Sequence, residues 1–151
     1  MKKYYLLLLM CVPMGAIIGQ NNTADTALIT ETIENYFYGY LERDSMKLLK
    51  AFDTENGTMK IPFAKNGTVM GYENAFFKDL VTKWSTADTL SEEVINDAQL
   101  SIQAIDVASG TIASAKLIME VDDNTYIDIL SLQKINGQWK ITNKIYMTAT
   151  Q

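Results

Sequence analysis

The run Tyr126-Ile127-Asp128-Ile129-Leu130-Ser131-Leu132-Gln133-Lys134-Ile135-Asn136-Gly137-Gln138-Trp139-Lys140-Ile141-Thr142-Asn143-Lys144-Ile145-Tyr146 places an apolar, β-branched segment on either side of Asn136-Gly137. Asn-Gly between two such segments signals a hairpin, because both residues accept the positive φ that a two-residue turn demands. The pattern predicts strands over Thr125 to Ile135 and Trp139 to Thr148. Towards the N-terminus, Ile112 to Val121 and Leu100 to Val107 have the same texture, separated by Asp122-Asp123-Asn124 and Ser109-Gly110. Connections this short join antiparallel neighbours only, so the C-terminal half reads as a four-strand meander.

Upstream, the period changes from two to 3.6. Between Ala24 and Arg43 the residues Ile29, Ile33, Tyr36, Phe37 and Tyr40 fall on one helical face, opposite Glu31, Glu34, Asn35 and Glu42. Gly39 inside that helix either permits close packing or is merely tolerated. Asp44 is placed to cap a second helix, Ser45 to Phe52, with Met46, Leu49 and Phe52 facing inward. Asn56-Gly57 and Asn66-Gly67 then bracket a short extended run, Thr58 to Ala64, whose Pro62 assigns it to a sheet edge. Gly71 to Trp84 reads as a third helix, with Phe76, Phe77, Leu80, Val81 and Trp84 forming its apolar stripe. Helices first and an antiparallel sheet last give an α+β class, the helices covering one face of the sheet.

The N-terminus carries Lys2 and Lys3, an apolar stretch from Tyr4 to Val12, then Pro13 and small or apolar residues up to Gly19 before Gln20-Asn21-Asn22. These are the three zones of a secretory signal, and the apolar part is shorter than the roughly 20 residues of a spanning helix. The expectation is a signal peptide at 1–19, a single domain at 20–151, and an exported, periplasmic or secreted protein of bacterial type without stable membrane insertion. Met10 before Cys11 is too bulky for a lipid-attachment box, so lipidation at Cys11 is not expected. Cleavage after Gly19 would remove the single cysteine, leaving a fold that relies on its core without disulfides. It would also leave 11 basic against 18 acidic residues, a net charge of about −7. Such a charge disfavours nucleic acid and anionic lipid as partners.

The element order resembles the nuclear transport factor 2-like superfamily, which also hosts ketosteroid isomerase and the polyketide cyclases. The run from Tyr126 to Tyr146 is similar to the group described as putative lumazine-binding proteins. The resemblance covers nearly all of the chain after the signal. It implies a cone, with N-terminal helices packed on a curved antiparallel sheet and an apolar pocket at the open end. It also implies a homodimer formed through the outer face of the sheet.

With no histidine and no cysteine after the signal, imidazole bases, thiol nucleophiles and the usual zinc sites are excluded. No cofactor or metal is expected; Asp122-Asp123-Asn124 lacks the spaced ligands of a calcium loop. Asn21-Asn22-Thr23, Asn56-Gly57-Thr58 and Asn66-Gly67-Thr68 fit the glycosylation pattern, but the last two read better as turns. Tyr36, eight residues before Asp44, resembles the oxyanion-hole tyrosine of the ketosteroid isomerases, whereas Ile61 stands where their proton-shuttling aspartate precedes the proline. Asp128 is an acid within an apolar strand, serving chemistry, pairing with Lys144 or meeting solvent. Its face holds Tyr126, Leu130 and Leu132, but Ile127 and Ile129 are equally apolar, so alternation leaves both faces open. Alternation through the last strand groups Asn143 with Trp139, Ile141 and Ile145. The candidate ligand-binding set is therefore Tyr36, Tyr40, Phe63, Trp84, Asp128 and Asn143. The expected function is non-catalytic binding of a small, partly apolar molecule. The alternatives are an isomerase, dehydratase or cyclase using Asp128 as base and Tyr36 as hydroxyl donor, and a protein-interaction module.

Overall fold

A computed structural model describes residues 15–150, so most of the predicted signal, Cys11 included, lies outside the described residues. Helix α1 runs Gly15–Glu42 and α2 runs Ser45–Ala51. Strands β1 (Thr58–Lys65) and β2 (Thr68–Phe76) precede α3 (Phe77–Ser85) and a short α4 (Glu92–Asp97). The meander follows as β3 (Gln99–Ala108), β4 (Ile112–Val121), β5 (Asn124–Ile135) and β6 (Gln138–Thr150). The six strands form one curved sheet in the order β2-β1-β6-β5-β4-β3, with the helices over its concave face. Among the described residues, no helix is long and apolar enough to cross a membrane.

The turns form as their residues dictate. Asn66-Gly67, Ser109-Gly110 and Asn136-Gly137 each carry two consecutive positive φ angles, the geometry that matches the twist of paired strands. In α1, Ile29, Ile33, Tyr36, Phe37 and Leu41 are buried against the sheet, and Tyr40 is half-buried. Gly39 is a point of close approach: a Cβ there would come within 3.0 Å of Leu48, so α2 lies directly on α1. Asp44 caps α2 with Oδ1, which accepts from the amides of Met46 at 2.8 Å and Lys47 at 3.1 Å. The buried residues behind that cap are Leu48, Ala51 and Phe52, whereas Met46 and Leu49, expected inside, are exposed.

Three further features depart from the sequence reading. The segment from Gly71 to Phe76 is not helical: it is the second half of β2, and the helix starts at Phe77. The Asn66-Gly67 turn folds β2 back along β1, and the Phe63 ring packs over Gly71, leaving Phe76 exposed while Phe77, Leu80 and Val81 bury. Second, β1 is not the edge strand. It pairs parallel with β6 from Thr58 to Lys60, so the sheet is mixed. Beyond Lys60 that pairing stops, which is why Pro62, without an amide to donate, is accommodated.

Third, β6 contains a bulge. Leu132 pairs with Ile141 and Ser131 with Asn143, so Thr142 has no cross-strand partner. One extra residue reverses the alternation beyond it. Trp139 and Ile141 face the core, and then Lys144 and Tyr146, rather than Asn143 and Ile145, face inward.

Candidate functional site

The bulge at Thr142 delivers a lysine into the core. Lys144 pairs in register with Leu130, two positions along from the Asp128–Tyr146 pair, so Lys144 and Asp128 are diagonal neighbours on the concave face. Lys144 Nζ donates to Asp128 Oδ2 at 2.6 Å and to the Tyr36 hydroxyl, which itself donates to the same Oδ2 at 2.9 Å. Relative exposure is 3% for Lys144, 2% for Tyr36 and 0% for Asp128. Among the described residues, Asp128 Oδ1 is a buried acceptor without a hydrogen-bond partner. The ammonium also lies 4.7 Å from the ring centre of Tyr36 and 5.2 Å from that of Tyr146, where the faces of the π-systems attract a cation.

Burial lowers the pKa of Lys144, because the charged form is the one that loses hydration; the Asp128 carboxylate offsets part of this. Tyr36 moves upward, first through burial and then through the charge of Asp128, so it stays a phenol. Tyr126 is pushed up to about 12, chiefly by burial and then by Tyr40, and Tyr146 moves upward for want of hydration.

Over this cluster sits a cavity of about 140 Å³. Its walls come from six elements: Tyr36 and Tyr40 of α1, Trp84 of α3, Met59 of β1, Met119 of β4, Tyr126 of β5, and Lys144 and Tyr146 of β6. Trp84 stacks on Tyr36 at a centroid distance of 6.2 Å and meets Tyr40 edge-on at 6.1 Å, while Phe52 supports Tyr36 from behind at 5.0 Å. The lining is therefore aromatic and thioether surface with one ammonium and several phenols. Lys144 has three donors and Asp128 and Tyr36 engage two of them. A ligand atom that accepts a hydrogen bond is the natural match for the third. A second cation would be repelled, because the aromatic faces already hold the protein's own ammonium. Among the described residues, no group of three or more acids is arranged to hold a metal.

Of the six residues singled out from the sequence, Tyr36, Tyr40 and Trp84 line the cavity, and Asp128 lies beneath it, held by Tyr36 and Lys144. Two lie elsewhere. Phe63 is half-exposed on the β1–β2 hairpin. Asn143 is on the outer face, where Nδ2 donates to the Thr58 carbonyl at 3.2 Å and to its Oγ1 at 3.1 Å, joining β6 to β1. Lys144 came into the sequence reading only as a partner for Asp128, and Met59, Met119, Tyr126 and Tyr146 not as lining residues. The signal for Tyr126 was its position on the face of Asp128; no local pattern marks the others.

A family model described as putative lumazine-binding matches residues 24–147. Among solved structures the chain is similar to an NTF2-like protein of unknown function from Shewanella baltica. That match has 22% identity and a TM-score of 0.71, covering 85% of this chain and 97% of that one. A putative scytalone dehydratase from Novosphingobium aromaticivorans matches at 19% identity and a TM-score of 0.59, covering 88% of this chain and 91% of that one. A ketosteroid isomerase-like protein from Erwinia carotovora atroseptica matches at 12% identity and a TM-score of 0.60, covering 83% and 96%. No curated protein matches. At such identities the solved structures show the fold alone, an NTF2-like α+β cone.

Proposed function

This chain belongs to the putative lumazine-binding family, and from that premise we propose that it binds a small, partly apolar molecule in the cavity beside Lys144. The observation that carries the reading is a buried ion pair whose lysine forms part of a cavity wall. A buried pair is weak evidence for stability, since well-packed apolar residues would serve the core as well or better. Its placement against an aromatic cavity supports a role in recognition. Size narrows the ligand. A half-open space of about 140 Å³ accommodates one aromatic ring, since cavities of roughly 150 Å³ hold benzene. A bicyclic lumazine or a four-ring steroid is larger than this volume and would extend out through the mouth.

The ligand inferred is a single-ring compound with a carbonyl or similar acceptor directed at Lys144. Thermal-shift screening of single-ring amides, acids and alcohols tests it. Carbonyl-bearing rings should raise the melting temperature of the wild type through binding to the native state alone. They should not raise that of a double variant, Asp128→Leu with Lys144→Met. Equal shifts in both proteins, or none in either, contradict the reading.

An enzymatic reading is less well supported. Asp128 has no exposed surface and does not line the cavity, so it can exchange protons with Lys144 and Tyr36 but cannot take one directly from a substrate. Export is proposed from the charged, apolar and small-residue zones of residues 1–19, with N-terminal sequencing of extracellular or periplasmic protein as its test. A homodimer is proposed from the outer sheet face, where Ile129, Ile145 and Met147 are exposed side by side. Light scattering should return twice the chain mass; a monomer at high concentration would contradict it.

A further inference from the structure

Lys144 is a primary amine fixed in the wall of a cavity, and its chemistry extends beyond hydrogen bonding. Its nitrogen is located by Asp128 Oδ2, the Tyr36 hydroxyl and the rings of Tyr36 and Tyr146. It is as buried as a core residue, yet part of it lines the open space. Burial makes it a weaker holder of its proton than a surface lysine, and desolvation of this kind activates lysine amines towards carbonyl carbon. The space beside it suits one ring, and its uncommitted donor suits a carbonyl oxygen.

We propose that Lys144 captures a single-ring aldehyde or ketone in this cavity as an imine. The inference rests on the cavity being a ligand site. The steps balance without any further reagent. Asp128, 2.6 Å away, takes one proton from the ammonium. The free amine attacks the carbonyl carbon, forming the C–N bond, and a proton passes from nitrogen to the former carbonyl oxygen. The carbinolamine hydroxyl then receives a proton from the Tyr36 hydroxyl, which takes in exchange the proton held by Asp128, and leaves as water as the nitrogen forms its double bond to carbon. One ammonium and one carbonyl become one iminium and one water. The positive charge remains where it started, so the carboxylate of Asp128 and the ring faces that hold an ammonium equally hold an iminium.

The test uses benzaldehyde with sodium cyanoborohydride, followed by digestion and mass mapping of benzylated lysines. The exposed Lys78 and Lys83 serve as internal references. Lys144 should be labelled roughly tenfold faster than either, the gain expected of an oriented and desolvated amine. Labelling at or below the rate of Lys78 and Lys83 overturns the proposal. A parallel sample receives benzamide, which has the same shape but forms no imine, and its binding is read from the tryptophan fluorescence that a Trp84→Phe variant loses. If benzamide binds and Lys144 is not labelled preferentially, the imine is refuted while the binding site stands. If benzamide does not bind and Lys144 is not labelled, both are refuted. Preferential labelling that benzamide suppresses at Lys144, and not at Lys78, supports both.

Discussion

Helix α1 is tied to the β5–β6 hairpin twice, roughly three helical turns apart, by clusters made of similar parts. In the first, Asp25 of α1 accepts from Lys134 of β5 at 2.7 Å and from the indole of Trp139 of β6 at 3.0 Å. In the second, Tyr36 of α1, Asp128 of β5 and Lys144 of β6 converge. Each joins one aspartate, one lysine and one aromatic donor. The difference lies in hydration. The Lys134 side chain is 29% exposed, so its ammonium keeps part of its water; that of Lys144 is 4% exposed, opposite an aspartate with none. The first cluster is a structural tie at the rim of the sheet. The second carries a large desolvation cost that a structural tie would not require, and it is the one that borders the cavity. Position, not residue type, separates a fastening from a site.

The comparison breaks most visibly on removing a charge. Asp128→Asn strands a buried ammonium and should cost about 3–5 kcal/mol in urea unfolding. Adding Lys144→Met should recover most of that loss, a coupling to be read from the double-mutant cycle. At the other tie, Asp25→Ala should cost about 3 kcal/mol, since it removes two hydrogen bonds to a charged acceptor and leaves the Trp139 indole unpaired. Lys134→Met should be milder than Lys144→Met, because each aspartate keeps its aromatic donor but Asp25 retains some exposure to water, whereas Asp128 has none.

The two ties should also respond to opposite ends of the pH scale. Hydrogen bonds from Lys134 and Trp139 hold the pKa of Asp25 below its usual value. Its contribution is therefore complete above about pH 3.9 and lost as pH falls through the lower folded value. Tyr36 is displaced upward, so its contribution is complete below about pH 10 and lost as pH rises through the folded value. Lys144, displaced downward, runs against it: its contribution is present above about pH 10.4 and lost as pH falls through the folded value. Stability profiles of Asp25→Ala and Tyr36→Phe should accordingly flatten the acid limb and the alkaline limb respectively. At neutral pH, Tyr36→Phe should cost about 1.5 kcal/mol through the lost bond to Asp128. The smallest effect belongs to Asn143→Ala, about 0.5 kcal/mol, with ligand binding unaffected, because Asn143 serves the β1–β6 junction outside the cavity.

The sheet and its turns were readable because Asn136-Gly137, Asn66-Gly67 and Ser109-Gly110 each impose a local geometry that tertiary packing did not overrule. The face of α1 was readable for the same reason, its period being uninterrupted. The boundary between β2 and α3 was not. An apolar stripe from Phe76 to Trp84 extends a helical pattern backwards into residues that pair with β1, and pairing overrides the local period. The bulge had the larger consequence: Thr142 is an ordinary strand residue, and nothing adjacent to it announces an extra position in β6. Reading straight through it puts Asn143 inside and Lys144 outside, the reverse of the structure. Most of the cavity was hidden for a different reason. Its walls come from six elements distant in sequence, and only the folded sheet brings Met59, Met119 and Tyr146 together.

The chain's two tryptophans mark the two ties: Trp84 lines the cavity, and Trp139 donates to Asp25. Protein labelled with 5-fluorotryptophan gives one fluorine resonance for each, assigned with a Trp84→Phe variant. Titration with benzamide should shift the Trp84 resonance saturably and leave Trp139 where it was. A saturable shift at Trp139 alone, or no shift at either, would contradict the assignment of the Lys144 cavity as the binding site.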